Sequence, residues 1–302
     1  MEDCIIVGAG PAGLTAAIYL ARFHLAIRMF DCGTSRAALI PCTRNLAGFP
    51  DGISGEELLA RMADQAERYG VERELARVTR IERLDDSFHV EAEGREFAAR
   101  TVLVATGVIN NHPAGMDDAL HAKALAAGLL RYCPICDGYE VTDQRVAVIG
   151  TGDHGMAEAV FLRGYTADLT LVSPEAEHEL DPQCRAELDK AGVARIDGPC
   201  GGHAIEDGRL AFDTSEGRLS FEAVYPALGS RVRSDLAAEA GAMTSKDGCL
   251  VVDAHQRTNV PGLFAAGDVV KGLDQISHAM GDGGVAATAI RNYLAELAPL
   301  RR

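Results

Sequence analysis

The chain has 302 residues, 47% apolar and 24% charged, a globular balance that excludes a disordered or fibrous polymer. At roughly 100–200 residues per domain, two domains are expected. With 29 Lys and Arg against 44 Asp and Glu, the net charge of −15 opposes a phosphate backbone and argues against nucleic acid as a general partner. No apolar run approaches the roughly 18 residues that a membrane span needs. Met1-Glu2-Asp3 leads directly into an apolar strand without a basic leader, so no membrane and a cytoplasmic location are expected.

Taken in chain order, Ile5-Ile6-Val7 reads as a buried strand, followed by the turn Gly8-Ala9-Gly10-Pro11-Ala12-Gly13 and a helix through Leu14–Leu20. A second strand over Ala26–Phe30 ends at Asp31, 18 residues after Gly13. The run 56–68 has the spacing of an amphipathic helix with its charges in water. A further strand over Thr101–Val104 ends in Ala105-Thr106-Gly107, and a polar stretch with Pro113 follows. Next come Cys133-Pro134-Ile135-Cys136-Asp137-Gly138 and a second strand–turn–helix, in which Val146–Ile149 feeds Gly150-Thr151-Gly152-Asp153-His154-Gly155 and a helical run from Met156. Val224–Gly229 and Leu263–Asp268 are two more apolar strands ending in turns. The pattern predicts an α/β fold of two Rossmann-like dinucleotide-binding domains. The second domain, 114–230, is inserted into a first made of 1–113 and 231–302.

In each GxGxxG turn the glycines allow a tight bend and close backbone approach, and the helix start offers N–H groups and a positive dipole end to a pyrophosphate. In the first, Gly8, Gly10, Pro11, Ala12 and Gly13 would form the cradle. Asp31 stands where a carboxylate accepts hydrogen bonds from an adenosine ribose. His154 in the second turn suits either a ligand phosphate or solvent.

Eight cysteines are too sparse for a disulfide framework. The close pair Cys133 and Cys136 reads as a redox dithiol or half a zinc site. Zinc would need ligands such as His112, His121 or His154, because no second close pair completes a tetrahedron, and no metal is expected. Asp137 beside the pair favours redox chemistry, since a carboxyl there can exchange a proton with a thiolate. Cys4, Cys32, Cys42, Cys184, Cys200 and Cys249 stand alone and read as packing thiols.

Over nearly its whole length the chain resembles the low-molecular-weight thioredoxin reductase family. The resemblance is carried by GAGPAG at 8–13, ATG at 105–107, CPICDG at 133–138, the turn at 150–155 and GLFAAGD at 262–268. It implies FAD in the first domain, a redox pair on the second and a homodimer. By that resemblance Cys136 faces the flavin, Cys133 attacks the partner disulfide and Asp137 is the acid–base residue. The cofactor-binding set it implies is Gly8, Gly10, Pro11, Ala12, Gly13, Asp31, Asn45, Val78, Ala105, Thr106, Gly107, Gly267, Asp268, Gln275 and Ile276. Gln275 and Ile276 open a helix whose dipole would favour the anionic reduced flavin.

Two departures modify that expectation. Where the family carries an arginine cluster for the NADPH 2′-phosphate, residues 168–179 hold no Lys or Arg and include Glu175, Glu177 and Glu179. At an effective dielectric of about 20, each carboxylate ~8 Å from a phosphate charge costs about 2 kcal/mol before screening. NADPH is therefore disfavoured, and Ser173 fails to supply a carboxylate for an NADH ribose. The family's Arg-Gln-Ala signature reads Asp274-Gln275-Ile276 here.

The expected function is an FAD-dependent dithiol–disulfide oxidoreductase acting on thioredoxin or a small disulfide. NADH, ferredoxin, another flavin or no nicotinamide at all stay open as electron source. The rivals are an NADH-dependent thioredoxin reductase, a dithiol oxidase passing electrons to O2, and a non-enzymatic flavin redox sensor. Oxidases on this scaffold commonly carry His after the second Cys, where this chain has Asp137.

Overall fold

The computed structural model describes residues 1–300. It divides into two compact units, one of Met1–Leu39, Ser54–Ile109 and Arg231–Arg302, the other of Ile40–Ile53 and Asn110–Ser230. Residues 40–53 thus cluster with the second unit, although the sequence-based range of the first domain ran continuously to 113.

The chain opens with β1 (Glu2–Val7), α1 (Pro11–Arg22), β2 (Ile27–Asp31), α2 (Gly55–Glu67) and β3 (Glu72–Leu75). It continues through β4 (Val78–Arg83), β5 (Phe88–Ala92), β6 (Arg95–Val104) and the short β7 (Val108–Asn110). The second unit holds α3 (Asp118–Ala126), α4 (Pro134–Asp137), β8 (Val146–Ile149), α5 (Gly152–Leu162), β9 (Leu169–Val172) and α6 (Pro182–Ala191). Its remaining strands are β10 (Ala194–Ile196), β11 (Gly201–Glu206), β12 (Arg209–Thr214), β13 (Gly217–Phe221) and β14 (Ala223–Pro226). The chain returns through β15 (Ser230–Val232), which pairs with β7, to α7 (Asp235–Glu239), β16 (Leu263–Ala265) and α8 (Ile276–Leu297).

In the first unit the sheet runs β3-β2-β1-β6-β5-β4, with β16 added on β6. The ten-residue β6 serves three partners. Its first half pairs antiparallel with β5, and its second half pairs parallel with β1 and β16. The register sets Val7 beside Val104 and Val104 beside Ala265, so three strands end level. The turns that follow them therefore open on one edge, the carboxyl edge where open α/β sheets bind ligands. Ile5, Ile6, Val102, Leu103 and Val104 are fully buried, as strands covered on both faces must be.

The second unit repeats the plan on a smaller scale: a parallel sheet β10-β9-β8-β14 and an antiparallel ribbon β11-β12-β13. All four residues of β8 are buried. Phe212 and Phe221 from the ribbon stack at 5.4 Å between ring centroids and join Ala147, Ile149 and Val224 in one core. Both units are thus Rossmann-type α/β, as the glycine turns predict. Among the described residues no helix is long and apolar enough to cross a membrane.

His203 on β11 is the one histidine with both ring nitrogens buried and lacking a hydrogen-bond partner among the described residues. Burial, reinforced by the Arg218 charge, holds its pKa below the ordinary 6.5. The unfolded chain therefore binds the proton more readily, so His203 costs no stability above about pH 6.5 and destabilises the fold as the pH falls below it. His203→Leu is expected to narrow the drop in Tm between about pH 8 and pH 5.5 by a few degrees, measured by calorimetry.

Candidate active site

At the carboxyl edge of the first unit, Gly8 has φ +109° and packs so tightly that a Cβ would overlap the Ala105 carbonyl oxygen. A Cβ on Gly13 would overlap the Gly8 carbonyl oxygen. These glycines let the turn close against the end of β6, where the Ala105 N–H donates to Val7 O at 2.8 Å. α1 then starts with Pro11 in its first turn, no acidic residue there, and Gly10 as a side-chain-free N-cap. α2, α3 and α6 differ, each starting under a side-chain cap from Ser54, Asp117 or Asp181. The donors at the start of α1 suit an anion supplied from outside the chain.

Asp31 at the end of β2 accepts the Ala9 N–H at 3.4 Å, which fixes its carboxylate beside the turn. Gly107 has φ +65° with open space where a side chain would be. Thr106 donates to Arg233 O at 2.6 Å. Gly267 has φ +77°, and a Cβ there would press on Ala12. Asp268 follows it, and burial together with the nearby Asp274 carboxylate pushes its pKa up. Gln275 is the extended residue before α8, Ile276 begins the helix, and its first turn carries no acidic residue. Val78 begins β4 with its side chain in the core beside Val90 and Ala92. Two helix starts, a ribose-type carboxylate and open glycine backbone fit a dinucleotide such as FAD.

Sequence reasoning missed Arg36. Its guanidinium lies 3.1 Å from Asp268 and 2.8 Å from Asp274, bridging the two carboxylates. The carboxylate at 274, where the family pattern has arginine, is thus neutralised by an arginine from elsewhere in the same unit.

In the second unit Cys133 and Cys136 form a disulfide with Cα atoms 5.2 Å apart. Pro134 starts the single turn of α4, and the Cys136 N–H donates to the Cys133 sulfur at 3.2 Å. The only metal-type cluster among the described residues is Asp153, Asp181 and Cys184, separate from the redox pair. Cys184 there is a thiol donating to Asp153 at 3.1 Å, and that bond with its burial raises its pKa to about 11.

Asp137 is the best-held carboxyl of the site. Tyr225 donates its hydroxyl to Oδ1 at 2.8 Å, and Arg131 pairs with Oδ2 at 2.9 Å. Burial still outweighs both partners and raises the Asp137 pKa. A carboxyl with a raised pKa one residue from Cys136 is suited to exchanging protons with sulfur. Asn45 lies in the 40–53 segment, is hydrogen-bonded to Thr43 at 3.0 Å, and its amide donates to Ile135 O at 3.5 Å, beside the redox turn.

The second glycine turn is built like the first. Gly150 and Gly155 pack on each other and on Ala227, and the Ala227 N–H donates to Ile149 O at 2.8 Å. α5 begins at Gly152, so His154 stands on its first turn and is solvent-exposed. The Thr151 hydroxyl accepts the Glu179 N–H at 2.8 Å and meets His178 Nδ1 at 3.3 Å. His178 is buried against Leu171 O at 3.2 Å, and the Glu179 carbonyl lies 3.7 Å from where a Gly152 Cβ would be. The segment after β9 therefore folds onto the turn.

A family profile described as pyridine nucleotide-disulphide oxidoreductase matches residues 2–283. The chain belongs to that family. A thioredoxin reductase from Listeria monocytogenes is 31% identical over 98% of this chain and 94% of its own. One from Streptomyces coelicolor is 34% identical over 98% and 95%. The crystal structure of a thioredoxin reductase from Streptococcus pyogenes superposes with a TM-score of 0.87 at 28% identity, over 98% of this chain and 99% of the other. The protein is a thioredoxin reductase-like flavoprotein disulfide oxidoreductase.

The structure brings Gly8–Gly13, Asp31, Ala105–Gly107 and Gly267–Asp268 to the sheet edge of the first unit, and Cys133, Cys136 and Asp137 to one turn of the second. Arg131 and Tyr225 escaped sequence reasoning. Arg131 is two residues before Cys133, yet nothing in the spacing says its side chain turns back on Asp137. Replacing Arg131 with Met should raise the Asp137 pKa further and lower Tm by several degrees, because one partner of a half-buried ion pair is removed. Carboxyl-carbon NMR titration and calorimetry check both.

Proposed function

We propose that the protein is an FAD-dependent dithiol–disulfide oxidoreductase that reduces a thioredoxin-type disulfide through Cys133–Cys136, with an electron donor other than NADPH. The observation that carries the donor reading is the Thr151–Glu179 hydrogen bond of 2.8 Å, with Glu179 O close against Gly152. The glycine backbone that a pyrophosphate would approach is faced by the protein's own backbone. The segment that does this carries three glutamates and no Lys or Arg between 173 and 180. Its charge opposes a 2′-phosphate and its placement opposes a pyrophosphate. The names of the relatives support thioredoxin as acceptor.

FAD, when bound, would supply the electron pair for opening the disulfide. Gly8, Gly10, Pro11 and Gly13 would hold its pyrophosphate and Asp31 its ribose. The start of α8 after Gln275 would place a positive dipole end at a developing negative charge. In the second unit, the Cys136 N–H stabilises negative charge on the Cys133 sulfur, the one expected to attack the partner. Asp137 gives a proton to a departing thiolate and takes one from an attacking thiol. Arg131 and Tyr225 keep its carboxyl oriented while that proton moves.

Two measurements test the reading. In anaerobic stopped flow, neither NADPH nor NADH is expected to bleach the flavin band at a catalytic rate, whereas dithionite or a dithiol does. Fast bleaching by NADPH identifies an ordinary thioredoxin reductase, and bleaching by NADH alone a donor-switched one. Steady peroxide formation with a dithiol under air would favour the oxidase direction instead. Cys136→Ser should retain FAD and lose thioredoxin reduction by at least about 100-fold, a loss typical of a removed nucleophile-pair member; unchanged turnover would overturn the mechanism.

A further inference from the structure

Arg36 belongs to no motif, and the reaction proposed above gives it no task. It opens the single helical turn Arg36–Leu39 between β2 and α2. That turn is firmly seated: a Cβ on Gly55, the first residue of α2, would overlap the Ala37 carbonyl oxygen. Packed backbone, rather than a loose loop, therefore places the guanidinium.

Its hydrogen bonds are lopsided. Nη1 alone serves both carboxylates, at 3.1 Å from Asp268 and 2.8 Å from Asp274. Nε and Nη2 have no partner among the described residues. The side chain is 22% exposed, which leaves it accessible to a ligand.

Two contacts fasten this bridge to the first turn of α1. Ser35, the residue before Arg36, has its hydroxyl oxygen 3.5 Å from where a Cβ on Gly10 would stand. Gly267, the residue before Asp268, lies against Ala12, whose Cβ is 2.8 Å from where its own would be. Gly10 is the N-cap of α1 and gives that helix start no side-chain cap. Arg36 thus meets Asp268 beside the N–H donors that suit an outside anion.

We propose that Arg36 is a further FAD-binding residue, whose free Nε and Nη2 take the cofactor's pyrophosphate while Asp268 and Asp274 aim it. The inference rests on the first unit holding FAD. A planar guanidinium can meet two phosphate oxygens at once, which an ammonium cannot do with the same fixed geometry. Without a cation there, a pyrophosphate would meet two carboxylates of its own sign. Arg36 offsets part of that charge and keeps two nitrogens for the ligand. Asp274, standing where the family pattern has arginine, becomes the anchor for an arginine supplied from position 36.

The test is cofactor affinity, and it needs no turnover. The full chain, stripped of flavin, is titrated with FAD by flavin fluorescence at about 0.05 M and about 0.5 M KCl. Wild type is compared with Arg36→Met, Arg36→Lys and Asp274→Asn. Arg36→Met is expected to weaken FAD by about 10- to 100-fold, the loss of a charge-assisted pair, and to flatten the salt dependence. Riboflavin, which has no phosphate, should bind wild type and Arg36→Met within about twofold of each other. Arg36→Lys keeps the charge without the fork and should fall between. Asp274→Asn removes a competing carboxylate and should tighten FAD by about two- to fivefold.

An unchanged FAD affinity in Arg36→Met would overturn the proposal. So would an equal loss of FAD and riboflavin with the salt dependence intact, the mark of a purely structural bridge. Should Arg36→Met fail to fold, Asp274→Asn decides: tighter FAD supports the proposal, and unchanged or weaker FAD overturns it. Wild type that binds no FAD would overturn the functional reading itself, an outcome distinct from any change confined to the variants.

Discussion

The active-site geometry depends on a contact that only glycine permits. At the end of β1, Gly8 and Gly13 lie against each other and against Ala105, the residue that ends β6. The Gly8 N–H donates to Phe30 O at 2.8 Å and the Ala105 N–H to Val7 O at 2.8 Å. These two bonds carry the sheet ladder into the turns. A methyl group at either glycine would part the turn from the sheet. Once the contact is made, α1 must start at Pro11 and point its N-terminus along the strand edge. Asp31 must lie within reach of the Ala9 N–H. Most of what could hold a dinucleotide follows from that packing.

The second unit makes the same contact and puts it to other use. Gly150, Gly155 and Ala227 repeat the interlock, and the Gly150 N–H donates to Val172 O at 2.9 Å. The difference begins after the next strand. In the first unit that strand ends in a carboxylate facing the turn, whereas in the second it ends in buried Ser173 and a segment that bends back. Thr151, His178 and Glu179 then meet through side-chain hydrogen bonds. A glycine motif therefore reports a backbone shape, and the residues after the second strand decide whether a ligand or the chain itself lies against it.

The sequence-level reading was strongest where function requires a backbone conformation. Positive φ at Gly8, Gly107 and Gly267, and the redox pair on one turn, are written in local residue types. Side chains converging from distant positions were not legible. Arg36 and Asp268 are 232 residues apart, and Tyr225 and Asp137 are 88 apart. No spacing rule connects such pairs, because their meeting depends on how complete sheets pack. The departure at Asp274 was visible as a missing arginine. Its compensation was not, since Arg36 looks like any residue of a polar loop until the fold brings it to the carboxylates.

These convergent groups divide the chemistry by charge. In the first unit one guanidinium faces two carboxylates, and burial together with the Asp274 charge raises the Asp268 pKa. In the second unit one guanidinium again faces a carboxylate, but a tyrosine joins it. Both sites hold a carboxyl whose pKa is raised, and both do so mainly through burial. A disulfide that opens and closes must take up and release protons in step with electrons. A carboxyl whose pKa burial raises meets that need more readily than an unperturbed one, because it takes up a proton at smaller cost.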